Sequence, residues 1–254
     1  GIGKKSISVK AGVAGSDLIV TAKIELSTGK ILEKKVNLRS SSMVLLWEAP
    51  DSYVPPFYKG KALVSSEGLI KVVAMPEIKI GGNFADIKNM SYVWQRDYEN
   101  AHEGSLYAQN FFIYRNNYLE EVENISVTAS TLDQKYSTNA GINLGVFNPK
   151  ILFYVKNDEL GTLLEKTLES GHRIKSDQTI LAAPYFISPK EFLSPLWKFD
   201  WYLNDQLEEV KPWVKHLMPV SVPKGVSGTA NIRLELEYKY KLFQKASKEI
   251  QVKF

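Results

Sequence analysis

Slid against itself by 107 residues, the chain matches itself. Trp94 in SYVWQRD falls on Trp201 in FDWYLND, and Asn124-Ile125 in ENISVTAS falls on Asn231-Ile232 in ANIRLELE. Each Trp therefore precedes its Asn-Ile by the same distance. The register runs on without a gap to Phe147 and Phe254. Upstream, VVAMP at 72–76 matches ILAAP at 180–184 one residue out of phase, and Phe57-Tyr58 matches Phe153-Tyr154 with residues gained in the second copy. A third match links Val20-Thr21-Ala22 to Val127-Thr128-Ala129 at 107, and Asn37-Leu38 to Asn143-Leu144 at 106. A period of this length in strand-like sequence means tandem β domains.

The strand character comes from period-two alternation, as in DLIVTAKIEL at 17–26, NISVTA at 124–129 and NIRLELE at 231–237. In the first of these Leu18, Val20, Ala22, Ile24 and Leu26 share one face. Residues 27–30 (STGK) read as a turn and 31–38 as the returning strand, which predicts a β-hairpin. Helical pattern is scarce. The best candidate is 159–170, with Leu160, Leu163, Leu164 and Leu168 near helical spacing, although Gly161 in its first turn counts against it.

Three units follow: a partial domain at 1–48 that is the closing hairpin of a sandwich whose earlier strands are missing, and complete domains at 49–148 and 149–254. Their junctions, WEAPDSYVPPFYKG at 47–60 and GVFNPK at 145–150, are proline-bearing. Pro55-Pro56 stiffens the first, so a semi-rigid rod is expected.

Composition narrows the chemistry. The 254 residues include no cysteine, hence no disulfide, thiolate metal site or thiol nucleophile. The net charge of +4 comes from 27 Lys and 5 Arg against 28 acids. Arg39, Arg96, Arg115, Arg173 and Arg233 are scattered, so the basic excess reads as a solvated surface and not a nucleic-acid groove. No apolar run approaches the ~18 residues of a membrane span. The first residue is Gly1, and no charged-then-apolar leader follows it.

Domains of ~100 residues with a Trp in a middle strand some thirty residues before an alternating late strand resemble immunoglobulin-like sandwiches, in particular tandem bacterial Ig-like and polycystic-kidney-disease-type domains. SYVWQRD and FDWYLND look like the middle strand with its turn, and ENISVTAS and ANIRLELE like the penultimate strand. The resemblance implies an all-β fold of tandem Ig-like β-sandwiches with Trp94 and Trp201 at the core of each repeat, held without a cross-sheet cystine. The stretch SYVPPFYKGKAL is also similar to one in uncharacterised multi-domain surface proteins of candidate-phylum bacteria, a likeness that supplies no activity.

Candidate chemistry is thin. His102, His172 and His216 lie apart, none in an HxH or HExxH spacing, and read as loop residues. No serine sits in a G-x-S-x-G turn, and glycine-rich phosphate loops are missing. Glu120-Glu121-Glu123, Asp97 with Glu99, and Asn204-Asp205 with Glu208-Glu209 read as solvated turn acids before a Ca²⁺ site. The sequons at Asn89 and Asn124 read as coincidence. Trp197 and Trp213 have no aromatic counterpart in the first copy. With Tyr185, Phe186 and Tyr202 they mark the second repeat for a partner or ligand contact, an interface being favoured over a sugar platform.

The expectation is a non-enzymatic structural protein of the extracellular space or cell surface, without cofactor or metal. It would be a subunit of a filament or fibre assembled by strand sharing or domain–domain contacts, self-association or neighbouring domains being its partners. The alternatives are a spacer or adhesion segment of a larger surface protein and a carbohydrate-binding accessory module with a cell-surface or glycan ligand.

Overall fold

The three alternating stretches, 17–26, 124–129 and 231–237, each fall in a strand, save Leu26 at the end of the first. The computed structural model describes residues 6–10, 12, 13, 15–117, 121–222, 225 and 227–254. Among these there is no α-helix, only two single-turn 3-10 segments. The chain forms two compact units. Gly1–Trp47, Val72–Phe112 and Asn124–Asn143 make the first, and Glu48–Lys71, Ile113–Glu123 and Leu144–Phe254 the second.

The expected hairpin is present. β1 (Asp17–Glu25) pairs antiparallel with β2 (Ile31–Arg39), Val20 opposite Val36, as a separate two-stranded sheet. The first repeat follows with β3 (Ser42–Glu48), β4 (Leu69–Glu77), β5 (Lys79–Ile80), β6 (Asn83–Phe84), β7 (Met90–Arg96), β8 (Glu99–Asn100), β9 (Phe111–Arg115), β10 (Val122–Thr131) and β11 (Ser137–Gly145). The second comprises β12 (Lys150–Asn157), β13 (Gly161–Leu163), β14 (His172–Arg173), β15 (Gln178–Tyr185), β16 (Trp197–Leu203), β17 (Gln206–Glu208), β18 (Leu217–Val220), β19 (Thr229–Tyr238) and β20 (Lys245–Lys253).

Strand order is the same in both repeats. One sheet runs β3-β4-β9 in the first and β12-β15-β18, with β13 at its edge, in the second; the other runs β11-β10-β7-β8 and β20-β19-β16-β17, with β14 beside β20. In sandwich lettering these are A-B-E and G-F-C-C′, and the fold class is all-β, tandem Ig-like sandwiches with a closing hairpin ahead of them. The cause is visible in the burial. Ile70, Val72 and Ala74 of β4 and Ile125, Val127 and Ala129 of β10 are buried at every second position. In the second repeat Ile151, Phe153, Ile180 and Ala182 of one sheet pack with Trp201, Ile232, Leu234 and Ile250 of the other.

Two expectations fail locally. The helix over 159–170 does not form. The Asn157 side chain accepts from the Glu159 and Leu160 amides at 2.8 Å each, Gly161 takes φ +77°, and β13 turns back on β12. Leucine spacing is overridden by a tight Asx-type turn, and Leu168 is buried in the core with its N–H donating to the Phe153 carbonyl. Phe57-Tyr58 is likewise no counterpart of Phe153-Tyr154. Phe57 and Tyr58 lie outside any strand, whereas 153 and 154 are in β12, and the strand occupying β12's place in the first repeat is β3. Nor has the second copy gained residues there, since the β3–β4 and β12–β15 connections, 49–68 and 158–177, are both twenty long.

Candidate functional site

The two central indoles sit in closely matched pockets. Trp94 on β7 and Trp201 on β16 are fully buried. Trp94 Nε1 donates to the Gln109 carbonyl at 3.3 Å and Trp201 Nε1 to the Lys215 carbonyl at 2.9 Å. An aromatic of the opposing sheet faces each, Phe112 of β9 at 5.8 Å and Phe153 of β12 at 5.4 Å. Burying the ring with its N–H satisfied gives the apolar gain without an orphaned donor.

The turn after each Trp strand meets the second matched motif through the main chain. Asp97 and Asn204 take left-handed φ of 49° and 48°. The Asp97 carboxylate accepts from the Asn124 amide at 2.8 Å while the Asp97 amide donates to the Asn124 carbonyl at 2.8 Å. Asn204 and Asn231 repeat both bonds at 2.9 Å. Asp97 is therefore engaged as a turn clasp. Among the described residues no group of three or more His, Asp or Glu is placed to hold a metal ion; Glu120 lies outside those residues.

The aromatic residues set aside for a contact are dispersed. Trp197 is buried in the second core, its Nε1 donating to the Pro189 carbonyl at 3.1 Å and its ring edge-on to Tyr238. Tyr185 and Phe186 are buried too, in a cluster with Tyr154 on the outer side of the β12–β15 sheet, beneath Val54, Phe57, Tyr58 and Leu63. The Tyr154 and Tyr185 hydroxyls bond each other at 3.1 Å, and burial pushes the Tyr185 phenol up. The proline-bearing 53–63 segment is thus a lid on that face, which no local pattern announces. Tyr202 is half-buried beneath the Arg233 guanidinium at 4.2 Å. Trp213 is 70% exposed, with Lys211 Nζ 5.7 Å from its ring centre.

A polar cluster missed by motif reading lies in the second unit. Lys241 Nζ donates to the Ser188 hydroxyl at 2.8 Å, to the Ser188 carbonyl at 3.1 Å and to the Glu67 carbonyl at 3.0 Å. Ser188 Oγ donates to Asp51 at 2.7 Å, and Asp51 also accepts from the Leu69 amide at 2.8 Å. The buried Gln244 accepts from the Ser188 amide at 2.7 Å and donates to Ser65 Oγ and the Ser66 carbonyl. Burial lowers the Lys241 pKa, with Asp51 and Glu67 pulling the other way. A hydroxyl beside an amine of lowered pKa is the arrangement of an activated nucleophile. Ser188, however, has 0% exposure, so no substrate reaches it, and the cluster acts as a clasp joining residues 51–69 to 188 and 241–244.

His102 is exposed, His172 contacts Gln178 at 3.2 Å, and His216 is half-buried edge-on to Phe192 with its pKa lowered by burial. They form no common site. The Asn124 side chain is taken by Asn143 at 2.7 Å.

What remains open is the hairpin. Leu18–Leu38, Val20–Val36 and Ile24–Leu32 are cross-strand pairs on one apolar face, interrupted by Lys34; Thr21–Lys35 and Lys23–Glu33 lie on the other, with Lys23 and Glu33 ion-paired at 3.2 Å. Exposure of Ile24, Leu32, Val36 and Leu38 is 57, 45, 44 and 44%. At the repeat offset Leu18 and Val20 correspond to Ile125 and Val127, then to Ile232 and Leu234, all four at 0–1%. Two strands alone in water are marginally stable. Leu18 and Val20 are half-buried and the rest of the face is exposed, so the face buried twice elsewhere in the chain is only partly covered here.

No family model and no curated protein matches the sequence. Among solved structures the chain is similar to fibronectin(III)-like modules of Clostridium thermocellum CbhA, at 8% identity over 82% of this chain and 93% of that one, TM-score 0.28. It is similar also to the mouse nectin-like molecule 4 ectodomain (Ig1–Ig3), at 11% over 82%, spanning 62% of that chain, TM-score 0.27. Sidekick-1 immunoglobulin domains 1–4 match at 11% over 98%, covering 72% of that chain, TM-score 0.24. The fold assignment rests on strand order and core packing.

Proposed function

We propose that the chain is a non-enzymatic structural subunit of an extracellular or cell-surface filament, its N-terminal hairpin being the last two strands of a sandwich completed by a neighbouring subunit. The observation that carries this reading is the largely exposed face of β1–β2, half-buried only at Leu18 and Val20, set against the buried faces of its two counterparts. Uncovered edges and apolar faces of this kind recruit strands from other chains. A non-catalytic role is supported by the sealing of Ser188, the nearest approach to an activated nucleophile among the described residues. Among those residues no helix is long and apolar enough to cross a membrane.

Sedimentation of the purified chain at micromolar concentrations tests the reading. Association that weakens on Ile24→Lys and Val36→Lys is expected, because charge on that face disfavours its burial. A monomer at every concentration overturns assembly and leaves the spacer or adhesion segment. A carbohydrate-binding role has one observation in its favour, the exposed Trp213; glycan binding lost in Trp213→Ala would establish it.

A further inference from the structure

The second unit shows how this fold closes the outer face of an A-B-E sheet. There Phe57 stands edge-on to Tyr154 at 5.5 Å and Tyr58 to Tyr185 at 5.6 Å, and the segment that carries them lies in the twenty-residue connection between strands A and B of the first repeat. The matched stretches 72–76 and 180–184 put Val73 and Met75 at the places of Leu181 and Ala183. On the first repeat that face is open. Val44, Leu46 and Met75 are 48, 52 and 48% exposed, and Phe84 and Ile87 beside them 61 and 39%. Val44, Met75, Pro76, Phe84, Ala85 and Ile87 line an apolar groove of about 340 Å³. The charged residue on its wall, Glu77, is already engaged, its carboxylate accepting from Ser42 Oγ at 2.5 Å. An apolar opening of this kind on a folded unit marks a contact site.

The covering connection has a counterpart of its own length, 158–177, between strands A and B of the second repeat. Both connections end in a parallel bridge onto the close of the last strand, Ser65 with Phe147 and His172–Arg173 with Val252–Lys253. Their middles differ. Residues 53–63 lie over a sheet, whereas the turn capped by Asn157 leaves Leu160 75% exposed and Leu164 39% exposed. A free leucine turn in one unit and a free apolar groove in the other are the two kinds of surface that meet inside the second unit.

We infer that the groove walled by Val44, Met75 and Phe84 receives the Leu160 turn of a second copy of the chain. Each copy offers a groove and a turn, and the two surfaces are unlike, so the contact is head-to-tail and extends from copy to copy. It repeats between copies what the chain does once within itself, an A–B connection laid on the A-B-E sheet of another repeat. It adds to the assembly reading above a contact in which β1–β2 takes no part.

Sedimentation of the full chain from about 1 to 300 µM, the range in which a small apolar contact is populated, tests it. To silence the hairpin, every chain carries Ile24→Lys and Val36→Lys. This background should still associate. Adding Met75→Lys or Leu160→Lys, both at exposed positions, should each weaken association at least about tenfold. An equimolar mixture of those two variants should form dimers and nothing larger, because the first keeps only its turn and the second only its groove. The chain has no cysteine, so introduced thiols report alone. Met75→Cys mixed with Leu160→Cys should oxidise to the mixed dimer at least about tenfold faster than either variant links to itself. Association lost with Met75→Lys but untouched by Leu160→Lys means that the groove takes another surface, and overturns the inference, as does Met75→Cys linking to itself as fast as to Leu160→Cys. A background that is monomeric while the unmodified chain associates overturns the groove contact and leaves the hairpin reading standing. Equal association of the two overturns the hairpin reading alone.

Discussion

The outer faces of the two A-B-E sheets make the most informative contrast in the molecule. In the second repeat the outward Leu152, Tyr154, Leu181, Ala183 and Tyr185 lie beneath residues 54–63, and the two tyrosines join hydroxyls there. In the first repeat the outward Val44, Leu46 and Met75 are 48, 52 and 48% exposed. Strand order is shared and both central indoles are buried, yet one face is interior and the other surface. A repeated fold therefore conserves what lies between its sheets and leaves the outsides free to diverge.

The largest test of the shared interior is Trp201→Ala against Trp94→Ala. Each should cost about 3–5 kcal/mol in urea unfolding, and losses differing by more than about 2 kcal/mol would break the equivalence of the cores. Next, Phe57→Ala and Tyr58→Ala should each destabilise the second unit by about 2–3 kcal/mol, whereas Met75→Ala on the bare face should cost less than about 1 kcal/mol. Equal effects would mean that the lid contributes nothing. Smaller again, Asp97→Ala and Asn204→Ala should each lose about 1–2 kcal/mol, because both turns are clasped by the same pair of hydrogen bonds.

The smallest effect is read by titration. Tyr92 of the first repeat donates its hydroxyl to the Ile87 carbonyl at 2.8 Å, and burial, then Asp86, pushes its pKa up to about 12. Its folded pKa exceeds the unfolded value of about 10. The stability it contributes is therefore complete below pH 10 and is lost as pH rises from 10 to 12. Ultraviolet titration should show late phenols, of which Tyr92→Phe removes one while that of Tyr185 in the second repeat persists.

Much of the core was legible because it is local and periodic. Alternation marks strands directly, and the Trp and Asn-Ile matches mark positions that both sandwiches use for the same purpose. What positions 124 and 231 do was hidden, since the shared property is a pair of main-chain bonds to residues 97 and 204, twenty-seven positions earlier. The helix expectation at 159–170 failed because one side chain, Asn157, redirected the backbone where leucine spacing pointed otherwise. Burial of Trp197, Tyr185 and Phe186 escaped notice for a third reason. What covers or surrounds them, Pro189, Tyr238 and the 53–63 segment, comes from tertiary packing. The Lys241–Ser188–Asp51 clasp joins residues up to 190 positions apart and leaves no spacing to read.

Lys215 carries a consequence for labelling chemistry. Its ammonium donates to the Ser194 and Trp197 carbonyls at 2.6 and 2.8 Å and lies 5.1 Å from the Phe199 ring centre, while its own carbonyl holds the Trp201 indole. Acylating reagents that decorate the surface amines will find this one walled in. Its late modification would time the opening of the second core, giving a cysteine-free protein an internal clock of its own.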